Sequence, residues 1–180
     1  MDRCWKCGQE MALIKDKPYH YTESGLNNVY LLGVIQYKCG NCGESGVEIP
    51  RINALHRLIS RDMVCKKEKL SGDEVRFLRK QIRIKGKEMA ELLAMKPETY
   101  SRWENGKQEV APYHDRQLRL IYILNASEEE GRIIHHDIRK LLSRMAVAPP
   151  NQKTIEITPA EWIMERTEGA EINEECMSRM

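Results

Sequence analysis

Residues 78–107 read LRKQIRIKGKEMAELLAMKPETYSRWENGK. Apolar side chains recur every three or four residues on both sides of a short turn at 94–96, as they do on one face of a helix. Pro97 suits the first position of the second helix, because its missing N–H would have no intrahelical partner there. The stretch therefore predicts two helices that cross through a shared apolar contact. The side chains predicted to form this contact are Met89, Ala90, Leu93, Tyr100 and Trp103.

The second helix, predicted over residues 97–105, has a polar face opposite that contact. An α-helix fits the major groove of B-DNA, and residues near its N-terminal end reach base edges. Arg102 lies one turn beyond Glu98, so both share a face, and an arginine fork can bond guanine O6 and N7. Gly106 allows a left-handed cap, after which exposed amides and Lys107 can meet phosphates. The polar face comprises Glu98, Thr99, Ser101 and Arg102.

Residues 101–107, preceded by Met-Ala-Glu-Leu-Leu at 89–93, resemble the Xre/Cro class of helix-turn-helix proteins. The resemblance implies an all-α domain of five helices that is usually dimeric on palindromic operators. An Xre-like domain used only for dimerisation remains an alternative. By the resemblance, the groove residues are Lys96, Pro97, Glu98, Thr99 and Arg102, and the phosphate-facing turn is Asn105, Gly106 and Lys107.

The sequence departs from this class at two positions. Gly86 stands where a glutamine often braces the phosphate backbone, and Ala94 replaces the usual turn glycine. Glu98 is also unusual for a groove residue, although a glutamate can accept a hydrogen bond from cytosine N4.

Helical periodicity continues on both sides of residues 78–107. Ser71 and Glu74 form a capping box pattern at the start of a helix. Apolar residues at helical spacing from Ile52 to Met63 predict a connecting helix that ends before the charged run at 66–69. Further helices are expected over residues 115–124.

Two Cys-x-x-Cys pairs, Cys4 with Cys7 and Cys39 with Cys42, are separated by 31 residues. Zinc prefers four tetrahedral donors, and two intervening residues allow a tight turn to aim both sulfurs at one point. A glycine directly follows each pair, which lets the backbone turn around the sulfur. We therefore expect one structural Zn²⁺ ion, rather than an iron–sulfur cluster or a dithiol redox centre.

Residues 1–50 otherwise have the composition of β structure. The run Val29–Tyr37 is rich in β-branched and aromatic residues and predicts a strand, with which residues 17–22 can pair across turn residues at 24–28. A β-meander of this kind would return the chain to the first cysteine pair.

The order of the two modules, with the metal site first, resembles the MqsA/YgiT-type zinc-finger and helix-turn-helix proteins. Tyr-His-Tyr-Thr-Glu-Ser-Gly-Leu at 19–26, Ile-Pro-Arg at 49–51 and Phe-Leu-Arg-Lys at 77–80 strengthen the match, which covers about residues 1–124. Founding members of that family are antitoxins whose zinc module binds a toxin ribonuclease and whose second domain dimerises and represses the operon. The resemblance implies a toxin partner from an adjacent gene.

Residues 126–180 lie outside both resemblances. A helix is predicted to begin at Ser127 and to carry Ile134, Ile138, Leu141 and Met145. After a break at 148–150, residues 154–157 resemble a short strand and residues 158–161 a further helix start. Residues 169–180 have too little apolar content to order themselves.

The charge distribution favours a nucleic-acid partner. Residues 51–107 carry 15 Lys and Arg against 8 Asp and Glu, whereas residues 125–180 carry 7 against 11. A basic middle segment is typical of a surface that meets a polyanion. The chain lacks an apolar run long enough to span a membrane, and Met1–Cys4 lacks the start of a signal peptide, so we expect a cytoplasmic protein. It shows no nucleophile–base constellation or phosphate loop, and we do not expect an enzyme.

The sequence thus predicts an α+β protein with four segments: a zinc module (1–50), a connecting helix (51–69), a helix-turn-helix domain (70–125) and an acidic extension (126–180). The favoured function is a homodimeric, sequence-specific DNA-binding repressor, and its more specific form is the antitoxin of a type II toxin–antitoxin pair. A protein-binding antitoxin and a zinc-thiolate redox sensor remain alternatives.

Overall fold

The computed structural model describes residues 3–130, 149–151 and 153–163, and over these residues the fold is α+β as predicted. A β-rich N-terminal part is followed by five helices within the described residues, and a strand and a short helix come last. The strands are β1 (Met11–Ile14), β2 (Tyr19–His20), β3 (Val29–Leu31), β4 (Ile35–Cys39), β5 (Ser45–Glu48) and β6 (Ile155–Ile157). The helices are α1 (Ile52–Cys65), α2 (Gly72–Gln81), α3 (Gly86–Leu92), α4 (Pro97–Glu104), α5 (Pro112–Glu130) and α6 (Pro159–Ile163).

The strands form two small sheets instead of one meander. One sheet is antiparallel with the order β1-β4-β5, and the other has the order β2-β3-β6, in which β6 runs parallel to β3. The prediction of a single strand over Val29–Tyr37 is therefore wrong. The chain bends at Gly33, whose φ of +70° is left-handed backbone, and the two halves of the run enter different sheets.

The helices follow the sequence prediction closely, and their caps explain why. At the start of α2 the Ser71 amide donates to the Glu74 carboxylate at 2.7 Å and the Glu74 amide to the Ser71 hydroxyl, so the predicted capping box is confirmed. In contrast, the helix predicted to begin at Ser127 does not begin there, because that residue lies inside α5. Residues 115–124 likewise belong to this one long helix.

Three successive helices end in the same cap. After α2, α3 and α4 the chain passes through a left-handed residue, namely Arg83, Ala94 and Gly106, with φ of +57°, +51° and +64°. The next amide in each case returns to a carbonyl in the last helical turn, as in a Schellman motif: Met95 N–H, for example, donates to the Ala90 carbonyl at 2.9 Å. Only the third of these caps has the glycine that this conformation favours.

Replacing Ala94 by glycine is therefore expected to stabilise the protein by about 0.5–1 kcal/mol. The left-handed conformation costs a non-glycine residue roughly 1–2 kcal/mol, and the larger unfolded-state entropy of glycine offsets about 0.4–1 kcal/mol of the gain. Urea denaturation measures the change in the free energy of unfolding. Ala94→Val is the control in the other direction and should lose stability, because a β-branched residue disfavours left-handed backbone. A destabilising Ala94→Gly would mean that Ala94 is not left-handed in solution.

A buried ion pair connects α5 to the segment between α1 and α2. Asp115 and Arg119 are both fully buried, and the Arg119 Nε donates to the Asp115 carboxylate at 2.7 Å. The other guanidinium nitrogens of Arg119 donate to three backbone carbonyls between residues 64 and 68, and the second Asp115 oxygen accepts from the Leu70 amide. This clamp fixes the α1–α2 segment to the helical bundle.

The C-terminal strand and helix pack on the N-terminal part of the chain. Trp162 of α6 is fully buried, and its indole N–H donates to the Pro50 carbonyl at 2.7 Å. Thr158 caps α6 through Glu161, as the predicted helix start requires. One continuous apolar core contains side chains from all four predicted segments, among them Leu31, Leu55, Leu78 and Trp162.

Two predictions fall outside the described residues. They are the lack of order expected for residues 169–180 and the helix carrying Ile134, Ile138, Leu141 and Met145. Among the helices of the described part, none combines the length and the apolar character needed to cross a bilayer.

Candidate metal centre and nucleic-acid interface

The two cysteine pairs form two tight turns with the same hydrogen bonds. The Cys4 amide donates to the Gln9 carbonyl and the Gly8 amide to the Cys4 carbonyl, both at 2.8 Å. The second turn repeats this pattern, with the Cys39 amide on the Glu44 carbonyl and the Gly43 amide on the Cys39 carbonyl. The glycines have φ of +75° and +74°, so the expected left-handed turn after each pair is confirmed.

The four thiols of these turns converge on one point. The sulfurs of Cys4 and Cys42 lie 3.5 Å apart, those of Cys7 and Cys39 lie 3.4 Å apart, and all four lie within 4.8 Å of one another. Four sulfurs around a metal at about 2.3 Å in a tetrahedron would stand roughly 3.8 Å apart, which this cluster matches with small adjustments. The four residues predicted as ligands therefore form a candidate metal site.

The charge of the cluster also favours a cation. Hydrogen bonds from the Gln9 backbone and the Asn41 side chain help lower the pKa of Cys7 to about 6. A hydrogen bond with the Glu44 backbone lowers the pKa of Cys42, but burial and the neighbouring thiols outweigh it and raise that pKa to about 12. The neighbouring thiols thus favour a thiolate at Cys7 and oppose one at Cys42. A dication in their midst would allow all four to be thiolates.

The metal-site sheet, β1-β4-β5, presents an apolar face to solvent. Leu13 pairs with Tyr37 across β1 and β4, and Ile35 lies two residues from Tyr37 on the same face. The Trp5 ring lies against Gly46, the β5 partner of Tyr37. Trp5 is 66% exposed, Leu13 48% and Ile35 46%. We call these three residues the apolar face.

The α3–α4 pair has the packing predicted for a helix-turn-helix. Its five predicted contact residues, Met89, Ala90, Leu93, Tyr100 and Trp103, are all buried in the main core. Of the predicted DNA-facing residues, Thr99 is half-buried and the others are exposed. The exposed ones are Lys96, Pro97, Glu98, Ser101, Arg102, Asn105 and Lys107.

Two arginines of α2 hold the end of α4. Arg79 forms a fork with the Glu104 carboxylate, with N–O distances of 2.6 and 3.1 Å. Arg76 donates to the Glu104 carbonyl and to the Asn105 side-chain oxygen. Gly72 packs so closely that a Cβ there would collide with the Trp103 carbonyl. The i,i+3 arginine pair on α2 and the acidic residue that ends α4 are the signal that the sequence offered.

The predicted phosphate-facing turn is partly engaged within the protein. The Asn105 side chain accepts from Arg76 and donates to the Ser101 carbonyl at 2.7 Å, so its amide is held against α2 and α4. The Lys107 amide donates to the Arg102 carbonyl and closes the cap, while its side chain is exposed.

No family model, no curated protein and no solved structure matches the chain. The Xre/Cro and MqsA/YgiT resemblances therefore stay predictions from sequence. What the chain itself establishes is a four-cysteine metal site on a β module, followed by a helical region.

Proposed function

We propose that the protein is a sequence-specific, DNA-binding transcriptional regulator with one structural zinc ion at Cys4, Cys7, Cys39 and Cys42. The observation that carries this proposal is α4, a helix that buries its apolar side against α2 and α3. Its other side is a polar surface with the exposed Arg102, as a helix that enters the major groove requires.

Surface charge around α4 supports the same function. The turn that leads into α3 carries the exposed Arg83 and Lys85, and Lys87 lies in the first turn of that helix. These exposed cations lie next to α4 and favour phosphate oxygens. Zinc follows from the donor set, because four cysteines at this spacing usually bind it and leave no position open for water.

The energetic roles of Arg102 and Lys107 should differ. Arg102→Ala should weaken binding to the correct operator by ~1–3 kcal/mol and change binding to random duplex little, because a bidentate guanine contact is lost. Lys107→Ala should weaken binding to both duplexes alike and reduce the salt slope by about one unit, because a phosphate contact is lost.

The measurement is a titration of each variant against operator and random DNA at several salt concentrations, with operator selected from random sequence. Asn105→Ala is not a suitable control, since that side chain also holds Arg76. Equal losses on both duplexes for Arg102→Ala would assign base reading to Glu98 or Thr99. Unchanged DNA binding in both variants would leave α4 as a dimerisation scaffold and contradict the proposed function.

We also propose that the regulator is a homodimer on a palindromic operator, with α5 at the interface. Tyr113 and Leu124 are 62% and 55% exposed and stand eleven residues apart, which is three helical turns, with the half-buried Leu120 on the same stripe. An apolar stripe of this kind on a long helix favours an isologous contact. Light scattering should give twice the monomer mass at micromolar concentration. The Leu124→Glu variant should give the mass of the monomer.

The apolar face favours a second candidate function, that of a protein-binding antitoxin. Trp5, Leu13 and Ile35 are large, exposed and adjacent, as in the anchor clusters of protein interfaces. A toxin from an adjacent gene would then co-purify with the chain, and Trp5→Ala should release it without changing DNA affinity. Retained toxin in Trp5→Ala together with Leu13→Ala would place the partner elsewhere.

A further inference from the structure

The four clustered cysteines differ in their exposure to solvent. Cys4 and Cys39 are 2% and 1% exposed, whereas Cys7 and Cys42 are half-buried. Each turn therefore buries its first cysteine and presents its second to solvent. A zinc ligand is a thiolate, and the oxidation of a thiolate depends on its access to the oxidant. An oxidant that arrives from solvent would thus react first at Cys7 or Cys42.

Each half-buried sulfur has a buried sulfur of the other turn beside it. The Cys7 sulfur lies 3.4 Å from that of Cys39, and the Cys42 sulfur lies 3.5 Å from that of Cys4. A disulfide forms when a second thiolate attacks the oxidised sulfur, so the sulfur that lies in contact is the favoured partner. This arrangement favours a disulfide between the two turns over one within a turn.

The two kinds of disulfide would constrain the chain differently. Cys4 and Cys7 precede β1, and Cys39 ends β4, the strand that pairs with β1. A disulfide between the turns joins residues that are 32 or 38 positions apart, so it restricts the unfolded chain and keeps the two turns joined without metal. A disulfide within a turn closes a loop of a few residues and leaves the two turns unlinked.

We propose that the metal site is also an oxidation site for hydrogen peroxide, at which Cys7 or Cys42 reacts and a buried cysteine of the other turn completes a disulfide. The exposed sulfur bonds to a peroxide oxygen, the O–O bond breaks and hydroxide leaves, which gives a sulfenic acid. The buried thiolate then attacks this sulfur, so that an S–S bond forms, the S–O bond breaks and a second hydroxide leaves.

This reaction balances and releases the metal. Two thiolates lose two electrons to one peroxide molecule, and the two hydroxides take up two protons from solvent to become water. Two of the four zinc ligands are lost, so the ion leaves. The inference rests on the proposed zinc ion and is independent of DNA binding. Zinc analysis of the reduced protein, made before any oxidant is added, decides the proposed ion separately from its oxidation.

Disulfide mapping by mass spectrometry tests the proposal on the zinc-loaded full chain. Hydrogen peroxide is added, released zinc is measured with a coloured chelator, and the remaining thiols are alkylated before digestion with trypsin. Lys6 separates Cys4 from Cys7, and Lys38 precedes the peptide that carries both Cys39 and Cys42. Zinc release should therefore accompany links from residues 4–6 or 7–15 to residues 39–51. A link between residues 4–6 and 7–15, or a bridge confined to residues 39–51, would overturn the proposal.

Two double variants with the same number of cysteines identify the reactive positions. Histidine can replace cysteine as a zinc ligand. Cys7→His with Cys42→His should release zinc about tenfold more slowly under peroxide, because only buried sulfurs remain. Cys4→His with Cys39→His keeps both half-buried sulfurs and should release zinc at nearly the original rate. Equal rates in the two variants, or no zinc release from the unmodified protein, would also overturn the proposal. If either variant fails to bind zinc, the disulfide map of the unmodified protein decides alone.

Discussion

Replacing Cys39 by serine should unfold the metal-site sheet while the rest of the protein stays folded. The sheet's own apolar cluster is small, with only Cys4, Met11 and Cys39 buried in it among the described residues. A structural zinc ion contributes roughly 10–16 kcal/mol in small peptides, far more than so small a cluster can. Loss of one ligand therefore removes most of what stabilises β1, β4 and β5.

The structure also sets a boundary to this unfolding. The second sheet, β2-β3-β6, contributes Val29, Leu31 and Ile157 to the main core, and its strands contain none of the four clustered cysteines. Residues 1–50 should thus not unfold as one unit. Tyr19, His20 and residues 29–31 should keep slow amide exchange while residues 4–14 and 35–48 lose it.

Hydrogen exchange followed by NMR, combined with metal analysis, measures both effects. Lys38→Ser is the control, because it introduces the same residue at an exposed position of the same strand. Treatment with a chelator should reproduce the Cys39→Ser pattern in the unmodified protein. An intact metal-site sheet in protein shown to contain no metal would contradict the assignment. Unfolding of β2 and β3 along with it would show that the two sheets are coupled.

Local sequence chemistry explains why the candidate sites could be predicted. The cysteine turns depend on two intervening residues and a following glycine, and α4 depends on Pro97, a five-residue apolar contact and Gly106. Each of these determinants lies within about ten residues of the structure that it forms. The capping box at Ser71 is of the same kind.

The features that were missed depend on contacts between distant parts of the chain. The strand run at 29–37 looks continuous locally, and it divides because β3 pairs with β2 and β6 while β4 pairs with β1 and β5. Nothing near Ile155 in the sequence indicates a parallel partner more than a hundred residues away. The periodicity of α1 predicted a helix, but not that Leu55 and Ile59 would join the same core as Trp162.

Arg119 is the residue whose loss should most destabilise the main core. Arg119→Ala would leave the fully buried Asp115 carboxylate without its cation and the carbonyls of Val64, Lys66 and Glu68 without their donor. Removing one partner of a buried pair costs about 3–5 kcal/mol, a large share of the roughly 5–15 kcal/mol that stabilises a typical domain. Urea denaturation should therefore show a much lower midpoint.

Two further variants identify the cause of that loss. Arg102→Ala removes an exposed arginine and should change stability by less than about 0.5 kcal/mol. The double variant Asp115→Asn with Arg119→Met should recover part of the loss, because it removes the uncompensated charge while the asparagine oxygen can still accept from the Leu70 amide. A double variant no more stable than Arg119→Ala would attribute the loss to the three carbonyls. A loss below about 1 kcal/mol for Arg119→Ala would mean that the clamp does not form in solution, and that α1 and α5 are joined by apolar packing alone.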